Sequence, residues 1–99
     1  ALEISDTHPE FKPLLEKNFD LWTGIIEGWL NEAGLALPAE CDRRGLARLV
    51  LSVMEGGVMQ ARAAGKLQPY DESVNQLRAY FSVLTTRAET TSTPMAKIA

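Results

Sequence analysis

The segment 42–64 constrains the fold most strongly, because as a helix it would be apolar over most of its circumference. One stripe at helical spacing contains Leu46, Leu49, Val50, Val53 and Gly57, and a second contains Ala47, Leu51, Met54, Val58 and Ala61. A helix that is apolar nearly all round is buried on more than one side. We therefore expect a central helix here, covered partly by its own chain and partly by something else.

Local signals mark both ends of this central helix and a special point in its middle. Asp42 is a residue type that caps helix N-termini, and Gly65 suits a left-handed C-cap. Gly56 and Gly57 lie mid-helix, where each glycine costs about 1 kcal/mol relative to alanine unless close backbone approach compensates. The glycine pair predicts a point where another helix crosses.

A first helix is predicted from Thr7 to about Gly34. Thr7 and Glu10 have the spacing of a reciprocal N-terminal cap. Apolar residues recur at alternating steps of four and three, namely Phe11, Leu15, Phe19, Trp22, Ile26, Trp29 and Ala33. Pro13 lies in the first turns and predicts a kink or a false start there.

A third helix is predicted to begin at Gln68-Pro69, because proline is tolerated in a first turn. Its narrower apolar stripe comprises Val74, Leu77, Phe81, Leu84 and Ala88. The short connection after Gly65 favours an antiparallel hairpin with the central helix. Beyond Arg87 the sequence is polar and without period, which predicts a flexible tail over residues 89–99. The fold class is all-α, with three main helices in an antiparallel bundle.

Charge, hydropathy and cysteine content narrow the functional classes. The formal net charge of -3 is the wrong sign for a domain that grips phosphates along nucleic acid. No apolar run is long enough to span a membrane, and the first residues do not resemble a signal peptide. Cys41 is the single cysteine and permits no intrachain disulfide, which favours a reducing, cytoplasmic location. Because the sequence begins without methionine, we expect a piece of a longer protein.

The residues offer little for catalysis. His8 is the single histidine and lies beside Pro9 at a helix entrance, where an exposed residue near the cap is the ordinary interpretation. Cys41 precedes Asp42 at a helix N-terminus, where the helix dipole favours a thiolate and the carboxylate opposes it. We expect no catalytic residues, no metal site and no cofactor.

The one basic cluster is Arg43, Arg44 and Arg48. It lies at the positive end of a helix, where Glu40 and Asp42 are expected to balance it, and anion binding is the less favoured alternative.

Large aromatic residues on the first helix allow two interpretations. Phe19, Trp22 and Trp29 share one face, which either packs into a core or lines a cavity. Met54 and Met59 on the central helix would adapt a cavity to varied ligands or serve as ordinary gap fillers.

The run 46–62 and the helix 73–84 together resemble the last two helices of TetR-family regulators. The pairs Glu55-Gly56 and Ala61-Arg62 carry most of this likeness. The stretch 6–11, which leads into a tryptophan-containing helix, resembles the helix that precedes them in that family. The resemblance extends to about Arg87. No part of the chain resembles the family's three-helix DNA-binding head.

The resemblance implies a regulatory domain, over residues 1–88, of a TetR-like repressor. Such domains bind a small molecule and form homodimers through a four-helix bundle made by two helices of each subunit. We expect the ligand pocket at Phe19, Trp22, Ile26, Trp29, Val50 and Met54. We expect the dimer interface at Val53, Gly57, Ala61, Leu77, Phe81 and Leu84.

The implied partners are a second copy of the chain, a small apolar or amphipathic effector, and DNA only through a head that this chain lacks. No membrane partner is expected. One rival is a helical docking module that binds another protein and takes no ligand. A second rival is a helical lyase or hydrolase that uses Cys41 or His8.

Overall fold

A computed structural model of the chain describes residues 11–92, and every regular element in that range is helical. Helix α1 is Phe11–Ala33, a short 3-10 turn follows at Gly34–Ala36, α2 is Arg43–Ala64 and α3 is Gln68–Ser92. The all-α prediction with three packed helices is confirmed. Thr7, the expected cap of the first helix, lies outside the described residues, and α1 is helical on both sides of Pro13.

Helix α2 lies between the other two helices, which pack against it rather than against each other. Arg44 of α2 pairs with Glu27 of α1, and Arg48 of α2 pairs with Asp20 of α1. Residue numbers in α1 therefore fall as those of their partners in α2 rise. Helix α1 therefore runs antiparallel to α2. The Cα atoms span 63 × 30 × 15 Å, and the shortest extent is close to the diameter of a single helix, about 10–12 Å. The three helices form one layer.

The predicted limits of α2 are confirmed by its caps. The Asp42 carboxylate accepts a hydrogen bond from the Gly45 N–H at 3.0 Å, which satisfies one of the free donors of the first turn. Gly65 ends the helix in the left-handed conformation with φ of 69°, where a residue with a Cβ would be strained.

Helix α3 begins at Gln68 as predicted, but it continues past Arg87 to Ser92. Ala88 is buried and holds the last turns against the rest of the chain. The Thr90 hydroxyl donates to the Thr86 carbonyl at 3.1 Å, so these polar residues satisfy themselves within the helix. The tail expected from residue 89 overlaps these turns, and residues 93–99 lie outside the described range.

The helix crossing predicted at the glycine pair is the crossing of α2 and α3 within one chain. A Cβ at Gly57 would lie 3.1 Å from Tyr70 Cδ2 and 3.3 Å from Tyr70 Cα. Gly57 is therefore needed for close approach, whereas a Cβ at Gly56 would meet nothing within 4 Å.

The buried core lies at one end of the layer, where the connection between α1 and α2 folds over the helices. Its members are Ile26, Leu30, Leu37, Leu46, Ala47 and Leu84. Arg43 secures the connection, because its guanidinium donates to the carbonyl oxygens of Gly34 at 2.8 Å, Cys41 at 3.3 Å and Pro38 at 3.4 Å. At the other end of the layer, α1 and α2 are not covered in this way.

Candidate functional site

A wide apolar groove of about 450 Å³ runs between α1 and α2 next to the core, and we call it the tryptophan groove. Its lining comprises Trp22, Ile26, Trp29, Leu51, Met54, Glu55, Val58 and Met59. Seven of these eight side chains are apolar, and Glu55 is the charged one. Its size falls within the range of about 300–1,000 Å³ typical of small-molecule sites.

The two tryptophans form exposed walls of this groove. Trp22 is 47% exposed and Trp29 is 61% exposed, whereas Ile26 between them is buried. The interpretation that this aromatic face packs wholly into a core is wrong for both tryptophans. Because α1 packs on α2 alone, only the centre of its apolar stripe is covered, and the residues at its edge remain open to solvent.

The structure brings together four of the six residues predicted to line a pocket. Trp22, Ile26, Trp29 and Met54 line the tryptophan groove. Val50 does not line it; this half-buried side chain packs against the core cluster.

Four groove residues lie outside the predicted pocket set, namely Leu51, Glu55, Val58 and Met59. Met59 was considered only as a residue that would adapt a cavity or fill a gap. Leu51 and Val58 share the second apolar stripe of the central helix with Met54. The stripe could have indicated them, but the sequence does not show which stripe faces α1.

A smaller depression of about 190 Å³ adjoins the tryptophan groove, and we call it the Thr23 depression. Its lining is Phe19, Thr23, Arg48, Leu51, Ser52 and Glu55. Phe19, predicted as a pocket residue, therefore lies here. Thr23 is fully buried, and its Oγ1 has no hydrogen-bond partner among the described residues. Leu51 and Glu55 line both cavities, so the two are continuous along α2.

Ion pairs close the seam between α1 and α2 on the side of the Thr23 depression. Arg44 lies 3.0 Å from Glu27 and 4.0 Å from Asp20, and Arg48 lies 3.0 Å from Asp20. The basic cluster is thus balanced by α1, because Arg44 and Arg48 project from the side of α2 that faces it.

The expectation that Glu40 and Asp42 balance the cluster is therefore wrong. Glu40 pairs instead with Arg87 of α3 at 3.2 Å, and Asp42 caps α2. Both acidic side chains have structural partners of their own.

The residues predicted for a dimer interface lie along the seam between α2 and α3. Gly57 and Leu84 are buried there, and Phe81 packs against the core. Val53, Ala61 and Leu77 are half-buried.

A different set of apolar side chains on the same two helices faces outward. Leu49 and Tyr80 line one depression, and Val83 lies one turn beyond Tyr80. We call Leu49, Tyr80 and Val83 the outer hairpin face. All three side chains are exposed, and none of them is in the set predicted for the interface.

Cys41 and His8 were the residues considered for catalysis. Cys41 is half-buried beside the core, and His8 lies outside the described residues. No group of three or more His, Cys, Asp or Glu residues suited to a metal ion occurs between residues 11 and 92. In that same part of the chain, none of the helices is long and apolar enough to cross a membrane.

Comparison with known families decides what kind of helical layer this is. Residues 1–76 match the family described as transcriptional regulator LmrA/YxaF-like, C-terminal domain, which is a family of TetR regulators. The chain belongs to this family. No curated protein and no solved structure matches it.

Both cavities lie in the part of the chain that matches the family. All of α1 and α2, and with them the tryptophan groove and the Thr23 depression, fall within residues 1–76. Tyr80 and Val83 of the outer hairpin face lie beyond the matched region.

Proposed function

We propose that residues 1–88 are the effector-binding and dimerising domain of a TetR-like repressor that acts in the cytoplasm. The domain takes a small apolar or amphipathic molecule in the tryptophan groove, and it controls DNA binding by a helix-turn-helix head outside the printed sequence. The observation that carries the proposal is the groove itself, where two half-exposed tryptophans and two exposed methionines surround an open apolar cavity.

The position of the groove gives a ligand a means to act. Helix α2 is shared by the groove on one side and by the α3 hairpin on the other. A molecule held between α1 and α2 changes the preferred spacing of these helices, and it favours whichever arrangement it binds more tightly. A head attached through α1 would respond to that population shift.

Homodimerisation is supported by the thin shape and by the outer hairpin face. One layer of helices cannot bury α2 on both of its faces, and a second copy would supply the missing layer. Leu49, Tyr80 and Val83 present apolar surface on the hairpin that the family uses for this purpose. Because Gly57 and Leu84 are used within the chain, these outer residues are the better candidates for contact across a two-fold axis.

Both tryptophans of the chain line the groove, so their fluorescence reports on it directly. We expect N-phenyl-1-naphthylamine, a neutral apolar fluorophore, to bind there and to accept excitation energy from the tryptophans. The variant Met59→Glu, which places a charge in the groove at an exposed position, should abolish the transfer. Leu35→Glu, at an exposed leucine outside the groove, is the matched control and should bind as the wild type does.

Equal binding by Met59→Glu and the wild type would place the ligand elsewhere. If apolar probes did not bind at all, the rival interpretation as a module that docks on another protein would be favoured.

A further inference from the structure

Helix α1 is packed firmly against the rest of the chain along only one half of its length. Its buried side chains within the described range are Thr23, Ile26 and Leu30, all in the C-terminal half. Among residues 13–22 none is buried, and Leu15 and Phe19 are half-buried. The boundary between the firmly packed half and the loosely packed half therefore lies at Thr23.

Thr23 makes the packing at this boundary imperfect. Its side chain is fully buried, and its Oγ1 has no hydrogen-bond partner among the described residues. Burial of a hydroxyl without a partner costs free energy, which is recovered when the hydroxyl meets water. Thr23 therefore favours separation of the two helices at this point, whereas an apolar residue of the same shape would oppose it.

Gly24, the next residue, makes the helix easy to bend at the same boundary. Glycine weakens a helix unless close packing requires it, and a Cβ at Gly24 would meet nothing within 4 Å. Packing therefore does not explain this glycine. Gly28 has equally open surroundings, but it lies between the buried Ile26 and Leu30, so the helix is held on both sides of it.

The ion pairs that hold the loosely packed half against α2 are weak. Asp20 lies 3.0 Å from Arg48 and 4.0 Å from Arg44. These three side chains are between 45% and 59% exposed, so water and salt screen their attraction. Glu27, which belongs to the firmly packed half, pairs with Arg44 at 3.0 Å.

The boundary also divides the α1 side of the tryptophan groove. Trp22 belongs to the loosely packed half, Ile26 and Trp29 belong to the firmly packed half, and α2 supplies the opposite wall. A bend at Thr23 and Gly24 would move Trp22 relative to α2 and leave Trp29 in place. Such a bend would change the width of the groove.

We propose that Thr23 and Gly24 form a hinge in α1, about which residues 11–22 move away from α2 and widen the tryptophan groove. The closed arrangement is the one in the structure, and it is in equilibrium with an open one. A molecule that contacts both Trp22 and α2 favours the closed arrangement. The hinge needs no ligand, whereas its control by a ligand rests on the proposed function of the groove.

Pulsed electron resonance between two nitroxide labels measures the proportion of open chains. On a Cys41→Ser background, the test pair is Lys17→Cys with Gln76→Cys, and the control pair is Glu32→Cys with Gln76→Cys, all at exposed positions. An excess of unlabelled chain keeps each measured distance within one molecule. A bend of about 30° would move Lys17, about 10 Å along the helix from Gly24, by about 5 Å. We expect two distances for the test pair and one for the control pair.

Alanine at two glycines of α1 provides matched variants. Gly24→Ala should reduce the open population about fivefold, the factor expected from the difference in helix propensity between glycine and alanine. Gly28→Ala gains the same propensity at a site held on both sides, so it should leave the open population unchanged. Thr23→Val lacks the buried hydroxyl and should also reduce the open population, whereas high salt should increase it because the pairs of Asp20 weaken.

A single distance for the test pair, or equal effects of Gly24→Ala and Gly28→Ala, would overturn the hinge. N-phenyl-1-naphthylamine at a saturating concentration should reduce the open population of the wild type. Two distances that respond to Gly24→Ala but not to this probe would overturn control by a ligand and leave the hinge itself intact.

Discussion

Gly57 shows how a single residue sets the distance between two helices of this domain. Its missing Cβ leaves space for Tyr70 of α3, whose ring and Cα lie within 3.1–3.3 Å of the position a Cβ would occupy. Three other helical glycines, Gly24, Gly28 and Gly56, have nothing within 4 Å of a Cβ position, and Gly28 of α1 serves as the comparison. Glycine lowers helix stability to a similar degree at Gly28 and Gly57, but only Gly57 has neighbouring atoms close to the position of a Cβ.

We predict opposite effects of alanine at these two positions. Gly28→Ala should raise the free energy of unfolding by about 0.5–1 kcal/mol, because alanine favours the helix and meets no neighbour. Gly57→Ala should lower it by about 1 kcal/mol, because the crowding at Tyr70 exceeds the gain in helix propensity. Urea unfolding followed by circular dichroism measures both. Equal stabilisation by the two variants would show that Gly57 is not a point of close approach.

At the residue scale, the sequence predicted part of the candidate site. Trp22, Ile26, Trp29 and Met54 were recognisable because they are large, apolar and in helical register. Thr23 was not, since a threonine becomes conspicuous only when its burial and its missing hydrogen bond are known. The placement of Val50 in the core depends on how α2 is rotated, which the periodicity of a helix apolar nearly all round does not specify.

The connection between α1 and α2 determines how these elements meet. Arg43 donates to three backbone carbonyls of this connection and is partly buried. Arg48, five residues later, is exposed and makes one ion pair with Asp20 across the seam. The two arginines therefore differ in what their removal leaves unsatisfied.

Replacing each arginine with methionine should separate these roles. Arg43→Met is predicted to lower the free energy of unfolding by about 1.5–3 kcal/mol, because carbonyls bonded to a charged group lose their donor. Arg48→Met should cost less than about 1 kcal/mol, because an exposed ion pair is worth little and is weakened by salt. Thermal unfolding at low and moderate salt provides the comparison. An equal loss in both variants would contradict the role assigned to Arg43.

At the element scale, the sequence predicted the helices well wherever local chemistry marks their ends. Asp42 and Gly65 bound α2 as expected, because capping is a local interaction. The end of α3 was placed too early, since the polar residues after Arg87 bond within the helix and Ala88 is held by tertiary packing. The ion-pair partners of Arg44 and Arg48, Glu27 and Asp20, were missed because they belong to another helix and depend on tertiary packing.

At the scale of the whole molecule, the domain is a single layer of helices with two exposed apolar surfaces. The expectation that α2 needs more cover than its own chain supplies agrees with the exposure of Leu49, Met54 and Val58. The tryptophan groove between α1 and α2 remains open, and so does the outer hairpin face of α2 and α3. We interpret the first as the ligand site and the second as the surface for another copy.

The most direct test of this account is the mass in solution, measured by light scattering against concentration. We predict twice the chain mass of 10.9 kDa for the wild type at micromolar concentrations. Val83→Glu places a charge on the outer hairpin face at a side chain that is 63% exposed, so it should yield a folded monomer. Leu21→Glu, at a similarly exposed position on α1, should remain a dimer. A wild-type monomer throughout, or a Val83→Glu variant that dimerises as well as Leu21→Glu does, would contradict the account.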